Sequence, residues 1–412
     1  MIERLSVALD FGDGEKPLQV GQLGRDLERR SIAFEWDAEF AASPLPLSPV
    51  LCRSYDQLLR PNSGRRASLP SLFEDSLPDG WGRLLLDREI AARGISRTKI
   101  GDIERLAYVG RYGSGALTYA PETDTLPNES IDLGWFEEII PQVMNGASAA
   151  DLSRLRVMSG GSQGARPKFV AQINDDMHSL RDYRLPLASG WTQVLIKGRA
   201  SSDPIGTVET EIAYGILMKE AGINVCRMFQ LEGHKESFFG TDRFDRPGRG
   251  RLHMSTVAGL LDTGMQHGVV DYVDLIKLSK IMCGRIDVVE EVFRRMVFNV
   301  RVLNRDDHVR NHAFLMNAAA EWSLAPAYDV SFSVGPGGEH SISIAGDGRY
   351  PGKDAINEVA RVAGIKPVRR DQIIDAVDSA LCSWEEVAGN CGVPDFLIED
   401  IGSEMVIARG WK

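Results

Sequence analysis

Paired cysteines are missing from this chain. Its 412 residues contain five cysteines, an odd number with wide spacing and no C-x-x-C motif: Cys52, Cys226, Cys283, Cys382 and Cys391. This pattern argues against a disulfide framework and against a cysteine-based zinc site. We therefore expect the reducing environment of the cytoplasm.

Long apolar runs and an excess of positive charge are missing as well. No apolar stretch approaches the roughly 20 residues of a membrane-spanning helix, and the segment from Met1 to Leu5 lacks the features of a secretory signal. The formal net charge of -11 argues against a broadly basic surface for nucleic acid. We expect no export, no membrane contact and no direct DNA binding.

The chain does have the composition of a globular protein with room for two or three domains. Residues 1–150 show a strand at 5–9, a helix at 81–93 and a second helix at 132–145 that Pro141 is expected to interrupt. This mixture predicts a small α/β domain.

The pattern changes twice further along the chain. Residues 151–250 contain strand-like runs at 168–173, 193–197 and 237–240 and one helix at 208–221. Residues 251–412 are mostly helical, with apolar residues at helical spacing in 269–282, 288–303, 355–363, 370–381 and 393–408. A sheet-containing lobe followed by a helical lobe is typical of kinases.

The most informative motif follows the helix predicted at 288–303. Asp306 and Asn311 have D-x-x-x-x-N spacing, and Asp329 follows after a short predicted hairpin. Protein kinases present their catalytic base and their two magnesium-binding groups in this order. A lone D-x-x-x-x-N also occurs by chance, so its meaning depends on what surrounds it.

Two further features precede this motif. The glycine-rich turn from Ser159 to Lys168 fits neither the Walker A nor the G-x-G-x-x-G pattern, but its glycine amides, Arg166 and Lys168 suit a phosphate. Lys197 ends a predicted strand and Glu211 lies in the next helix, as in the ion pair that fixes a kinase lysine. Taken singly, each is more often an ordinary mobile turn or a solvated side chain, but their order before the Asp306 motif favours the kinase interpretation.

The histidines near the motif have another explanation. His308 and His312 are spaced i, i+4, as zinc ligands on a helix are, but the sequence lacks the H-E-x-x-H pattern. We favour structural histidines over a metal site.

The ordered motifs together resemble the HipA-type serine/threonine kinases, toxins of bacterial toxin-antitoxin pairs. The resemblance covers nearly the whole chain and is carried by Ser71–Gly80, Val109–Thr118, Gly164–Lys168, Arg243–Arg246, Asp306–Asn311 and Tyr328–Asp329. It implies an α+β, bilobal kinase-like fold. The implied parts are an N-terminal α/β domain at 1–150 for partner docking, a sheet-containing nucleotide lobe at 151–250 and a mainly α-helical catalytic lobe at 251–412.

The resemblance also implies roles for single residues, with ATP and Mg²⁺ as cofactors. Asp306 would be the catalytic base, and Asn311 and Asp329 would hold the metal. The residues implied in ATP binding are Gln163, Gly164, Ala165, Arg166, Pro167, Lys168, Lys197, Glu211, Asp242, Arg243, Phe244, His308, Asn311, Tyr328 and Asp329.

Partners and regulation are implied in the same way. A small helix-turn-helix antitoxin would bind this chain and contact DNA, and the substrate would be a protein hydroxyl, as on an aminoacyl-tRNA synthetase. Relatives are silenced by phosphorylation of a loop serine; Ser159 and Ser162 are the candidates here, although Gly161 also fits that position. Asp307 adds a second carboxylate beside Asp306, with no role that the sequence defines.

Two other functions remain open. The chain is also compatible with a nucleotide-binding interaction module that acts mainly as a co-repressor with its antitoxin. The other hypothesis is a metabolic small-molecule kinase. The N-terminal domain argues modestly against it, because the resemblance assigns that domain to partner docking.

Overall fold

The N-terminal region forms an antiparallel sheet with short helices. The computed structural model describes residues 2–29, 31–65, 67–96, 100–122, 130–161, 164–264 and 268–410. The strands are β1 (Arg4–Leu9), β2 (Leu18–Asp26), β3 (Ser31–Trp36) and β4 (Leu117–Ala120), in the order β3-β2-β1-β4. Helices α1 (Ala38–Ala42), α2 (Ser71–Glu74), α3 (Gly80–Ala92) and α4 (Asp102–Val109) accompany this sheet. The strand predicted at 5–9 and the helix at 81–93 are confirmed.

The middle region is built on a second sheet. Helices α5 (Leu133–Asn145) and α6 (Ala149–Ser159) precede strands β5 (Lys168–Asn174), β6 (Leu180–Asp182), β7 (Trp191–Lys197), β8 (Met228–Glu232) and β9 (Ser237–Asp242). The strand order is β6-β5-β7-β9-β8, and helix α7 (Thr207–Glu220) lies between β7 and β8 in the chain. The three strands and the helix predicted here are confirmed.

The predicted interruption at Pro141 is wrong, because α5 runs through it. Pro141 lies on the exposed face of the helix, whereas Phe136, Ile139 and Val143 are buried in the core shared with the second sheet. An interior proline costs about 3 kcal/mol, and three buried apolar side chains contribute more than that, at about 1.5–3 kcal/mol each. Burial of the apolar face therefore outweighs the proline.

The C-terminal region is mostly helical. A three-stranded sheet of β10 (His253–Thr256), β11 (Ala313–Met316) and β12 (Trp322–Leu324) accompanies seven helices among the described residues. These helices are α8 (Val257–Leu261), α9 (Tyr272–Cys283), α10 (Ile286–Arg301), α11 (Lys353–Ala363), α12 (Pro367–Leu381), α13 (Trp384–Asn390) and α14 (Asp395–Arg409). All five predicted helical segments are confirmed, and the β11–β12 hairpin precedes Asp329 as expected.

Helix α7 belongs to both lobes. Tyr214 and Leu217 lie in the same apolar core as Phe298 of α10 and Trp384 of α13, while other parts of α7 contact β8 and β9. Side chains on α7 therefore stand at the boundary between the second sheet and the helical lobe, where Glu211 is found. Among the described residues, no helix is long and apolar enough to cross a membrane.

Candidate active site

An ion-paired lysine lies where β7, α7 and the segment after β12 meet. The Nζ atom of Lys197 is 2.6 Å from Oε1 of Glu211 and 2.6 Å from Oδ1 of Asp329. Burial alone would lower the pKa of Lys197, but the two carboxylates outweigh it and hold the pKa above its ordinary value. Lys197 in turn keeps the pKa of Asp329 well below the ordinary range, so both groups are charged.

A second buried lysine stands beside the first. Lys168 of β5 is the direct cross-strand partner of Lys197 and is only 3% exposed. Burial lowers its pKa to about 8, and the charge of Lys197 acts in the same direction against the attraction of Asp329 and Glu211. The two ammonium groups and the carboxylates of Glu211 and Asp329 thus form one cluster of opposite charges, and an anion such as phosphate beside Lys168 would favour its charged form.

Asp329 is held in an unusual backbone conformation. Its φ angle is 58°, in the left-handed region that non-glycine residues rarely adopt. The preceding residue, Tyr328, donates its hydroxyl to the carbonyl of Arg310 at 2.6 Å, and its ring lies 5.3 Å from that of Phe244. The Tyr328–Asp329 segment is therefore tied to the 306–311 run and to the segment that follows β9.

The 306–311 run is a compact turn stabilised by its own backbone. The carbonyl of Asp306 accepts the His308 N–H at 2.8 Å and the Nδ2 of Asn311 at 2.8 Å. The Asn311 N–H donates to the carbonyl of His308. Asp306 is exposed while Asn311 is buried, so the two residues of the motif differ in their access to solvent.

Asp307 faces the opposite way. It is fully buried, and its Oδ2 accepts the hydroxyl of Tyr272 from α9 at 3.0 Å. Asn299 donates to the same hydroxyl, and Nδ1 of His340 lies 3.4 Å from Oδ1 of Asp307. Asp307 anchors the turn to the core of the helical lobe.

His312 also points into the core. It is 5% exposed, its ring meets that of Tyr272 edge-on, and burial lowers its pKa to about 3. His308 is half-buried. Within the described ranges no three His, Cys, Asp or Glu side chains come together as a metal cage.

The glycine-rich turn is held from outside the second sheet. The N–H of Gly164 donates to Oδ1 of Asp79 at 2.6 Å, and its carbonyl accepts the N–H of Trp81 at 2.9 Å. Arg166 pairs with Asp203 at 2.9 Å and lies 3.8 Å from Glu211.

The remaining residues of this turn have mixed positions. Ala165 is exposed and Pro167 is buried. Ser159 is buried and donates its hydroxyl to the carbonyl of Arg156 within α6. Ser162 and Gln163 lie outside the described residues.

The segment from Asp242 to Phe244, which the HipA resemblance implies as the adenine-lining hinge between the lobes, carries its own ion pairs. Asp242 binds Arg227 at 2.8 Å, and the Arg243 N–H donates to the carbonyl of Gln193 at 2.9 Å. The side chain of Arg243 binds Asp245 at 2.8 Å. Adenine recognition by Asp242, Arg243 and Phe244 stays a prediction.

The sequence assigned no role to two charged residues at this site, Asp245 and Asp79. Asp245 binds Arg246 at 2.7 Å and the N–H of Gly115 at 2.8 Å, which joins the hinge to the N-terminal region. Asp79 joins that region to the glycine-rich turn and to Arg310. Both residues lie in segments that carry the family resemblance, Ser71–Gly80 and Arg243–Arg246.

Comparison with known proteins decides the family. Residues 160–384 match the HipA-like C-terminal domain, and residues 16–120 match the HipA N-terminal domain. The chain belongs to the HipA family.

One solved HipA structure shows how far the likeness extends. The Shewanella oneidensis MR-1 HipA, solved with HipB and operator DNA, has a TM-score of 0.67 and 17% identity, covering 98% of this chain and 96% of that one. This likeness establishes the fold as α+β, bilobal and kinase-like. A Haemophilus influenzae protein described as a putative kinase is 28% identical over 143 residues, which is 31% of this chain and 41% of that protein. The match thus spans less than half of that relative.

The HipA-family site fits a magnesium-bound nucleotide in its donor chemistry. Mg²⁺ usually takes one or two carboxylates together with waters and substrate phosphates rather than a full protein cage. Asp329 supplies an ionised carboxylate, and Asn311 uses its Nδ2 on Asp306, which leaves Oδ1 for a cation. Lys168 and Lys197 would supply positive charge beside the phosphates of such a nucleotide.

Proposed function

We propose that this HipA-family protein is an ATP- and Mg²⁺-dependent protein serine/threonine kinase. The observation that carries the proposal is Lys197 placed 2.6 Å from both Glu211 and Asp329. Beside it lies a second buried lysine, Lys168, whose pKa is lowered to about 8 by burial and by the charge of Lys197. Nucleotide phosphates bound there would favour the charged form of Lys168.

The chain's residues would act mainly by position and charge. Lys197 and Lys168 would bind phosphate oxygens, with Glu211 fixing the ammonium group of Lys197. Asp306, exposed on its turn, would accept the proton of the attacking hydroxyl. Bound Mg²⁺, held by Asn311 and Asp329, would neutralise charge on the phosphates during transfer.

The biological role proposed with this activity is that of a toxin. We infer that a translation-related protein, such as an aminoacyl-tRNA synthetase, receives the phosphoryl group on a serine or threonine in the cytoplasm. A small HipB-like helix-turn-helix antitoxin would bind the chain, and DNA would be reached only through it. Membership of the HipA family supports this role.

A direct test is phosphoryl transfer from γ-labelled ATP to a protein acceptor. The wild-type protein should transfer label, and Asp306→Asn should reduce the rate by a factor of about 100 or more because the general base is lost. Asp307→Asn is the neighbouring control and should keep most of the activity, since Asp307 faces the core. Equal rates in wild type and Asp306→Asn contradict the proposal.

Growth on expression separates the kinase from an interaction module. Arrest that disappears with Asp306→Asn supports the enzyme. Arrest that survives Asp306→Asn, in a protein that still binds its antitoxin, favours the module.

A further inference from the structure

We propose that Asp79, from the N-terminal domain, is a positioning residue of the nucleotide site. It holds the glycine-rich turn against the 306–311 run by binding Gly164 and Arg310 at the same time. The inference rests on the proposed function, because it assigns a role to a neighbour of the proposed phosphate site.

The carboxylate of Asp79 binds residues outside its own helix. Asp79 is the N-cap residue of α3, a position where an aspartate side chain commonly accepts an N–H of its own helix. Here it makes no such bond. Its Oδ1 instead accepts the Gly164 N–H at 2.6 Å, and its Oδ2 binds the guanidinium of Arg310.

The start of α3 binds both backbone groups of Gly164, its N–H and its carbonyl. The Trp81 N–H, free at the start of the helix, donates to the Gly164 carbonyl at 2.9 Å. Gly80 has a φ of 39°, and a Cβ on it would lie 2.4 Å from the Gly164 oxygen. The close approach therefore requires glycine at position 80.

The contacts of Asp79 reach the residues proposed for catalysis and phosphate binding. Arg310 belongs to the 306–311 run, its side chain is only 14% exposed, and its carbonyl accepts the Tyr328 hydroxyl. A Cβ on Gly164 would lie 2.4 Å from Nζ of Lys168, so the turn forms one wall around that ammonium group. Displacement of the glycine-rich turn would change the space beside Lys168. It would also change the distance between the turn and the 306–311 run.

These contacts give the N-terminal domain a part in the active site. A partner that shifts α3 would move the glycine-rich turn without touching the nucleotide. The sequence separation of 85 residues between Asp79 and Gly164 means that only the assembled protein contains the contact.

Amide hydrogen exchange tests the contact without requiring activity. In the full-length protein without nucleotide, a peptide that contains Gly164 should exchange about tenfold faster in Asp79→Ala, as expected for loss of a charge-assisted hydrogen bond. Gly80→Ala should have the same effect by displacing the turn. Arg310→Gln should give a smaller increase, since Asp79 keeps its bond to Gly164.

Asp262→Asn is the matched control. Asp262 also forms an arginine–carboxylate pair between the N-terminal region and the helical lobe, with Arg65, and none of its hydrogen bonds or ion pairs reaches the described part of the glycine-rich turn. Exchange at Gly164 should stay at the wild-type rate in this variant. Unchanged exchange in both Asp79→Ala and Gly80→Ala overturns the inference.

Kinetics then distinguish positioning from general loss of structure. Asp79→Ala should raise the KM for ATP about tenfold with a smaller change in kcat, and Asp79→Asn, which keeps an oxygen for the Gly164 N–H, should recover part of the difference. If the wild type neither binds nor uses ATP, the proposed function fails while the exchange result still decides the contact. Faster exchange with an unchanged KM shows that Asp79 holds the turn but contradicts its role in the site.

Discussion

Two charge clusters of the protein, one around Asp245 and one around Lys197 and Asp329, differ in burial and in how completely their hydrogen bonds are made. At the hinge, Asp245 receives bonds from Arg243, Arg246 and the Gly115 N–H, and these arginines hold its pKa well below the ordinary range despite burial. In the cleft, Asp329 has a side chain that is 37% exposed and lies on strained backbone. The hinge cluster has the features of a structural joint, whereas the cleft cluster keeps an open face for a ligand.

Removal of the Asp329 carboxylate tests whether the cleft cluster binds a ligand. Asp329→Ala should reduce phosphoryl transfer on the order of a thousandfold, because the charge that positions metal and phosphates is lost. Stability should fall less than in the hinge variant Asp245→Ala, since Lys197 keeps its bond to Glu211 and the Asp329 side chain is partly exposed. Transfer assays and urea denaturation of the same preparation measure both effects. A variant with normal activity would assign the cleft cluster to structure.

Removal of the hinge carboxylate should have the opposite result. Asp245→Ala leaves the side chains of Arg243 and Arg246 buried without this partner and should lower the free energy of unfolding by about 3–5 kcal/mol. Asp242→Ala is the control, because its pair with Arg227 is partly exposed and should contribute less than about 1 kcal/mol. Urea denaturation distinguishes the two variants. Equal losses of stability would contradict the structural role of Asp245.

Asp306 and Asp307 in the 306–311 run show the same difference between an exposed and a buried carboxylate. Asp307→Ala leaves the buried Tyr272 hydroxyl without its acceptor and should cost about 1–3 kcal/mol of folding free energy. Asp306→Ala, at an exposed position, should change stability by less than about 0.5 kcal/mol. Thermal denaturation of the two variants checks the order, and a reversed order would mean that the roles of the two carboxylates are exchanged.

The smallest expected effect is a pH dependence of nucleotide affinity. The pKa of Lys168 lies at about 8, below its ordinary 10.5, so the folded protein without nucleotide loses this proton as pH rises through about 8. ATP affinity should therefore fall several-fold between pH 8 and about 9.5, since the neutral amine no longer attracts phosphate. Stability should rise over the same interval, because the unfolded chain still binds the proton. The Lys168→Met variant should bind ATP weakly, and its affinity for ATP should depend little on pH.

Sequence patterns predicted the parts of the site that depend on chain order. The pairing of Lys197 with Glu211 followed from a strand that ends in lysine and a helix that comes next. The arrival of Asp329 after a hairpin followed from the Pro-containing turn before it. These are local patterns, and the HipA resemblance arranged them in one sequence of motifs.

Other parts depend on tertiary contacts that no local pattern encodes. The direction of Asp307 is fixed by Tyr272 and His340, which come from distant segments. The helix predicted at 81–93 begins close to Asp79, but no local pattern indicated that Asp79 would bind Gly164 instead of its own helix. Helix α6 was missed because it directly precedes the glycine-rich turn, although Leu152, Leu155 and Met158 form its buried face. The domain limits at 150 and 250 stay predictions.

The measurement that tests the central claim most directly is a calorimetric titration of the wild-type protein with ATP, with and without Mg²⁺. We expect one nucleotide site per chain whose affinity for ATP increases with Mg²⁺, and we expect this increase to be lost in Asp329→Ala. Absence of ATP binding by the folded wild-type protein, or binding that Mg²⁺ and Asp329→Ala leave unchanged, would contradict a phosphoryl-transfer site built around Lys197 and Asp329.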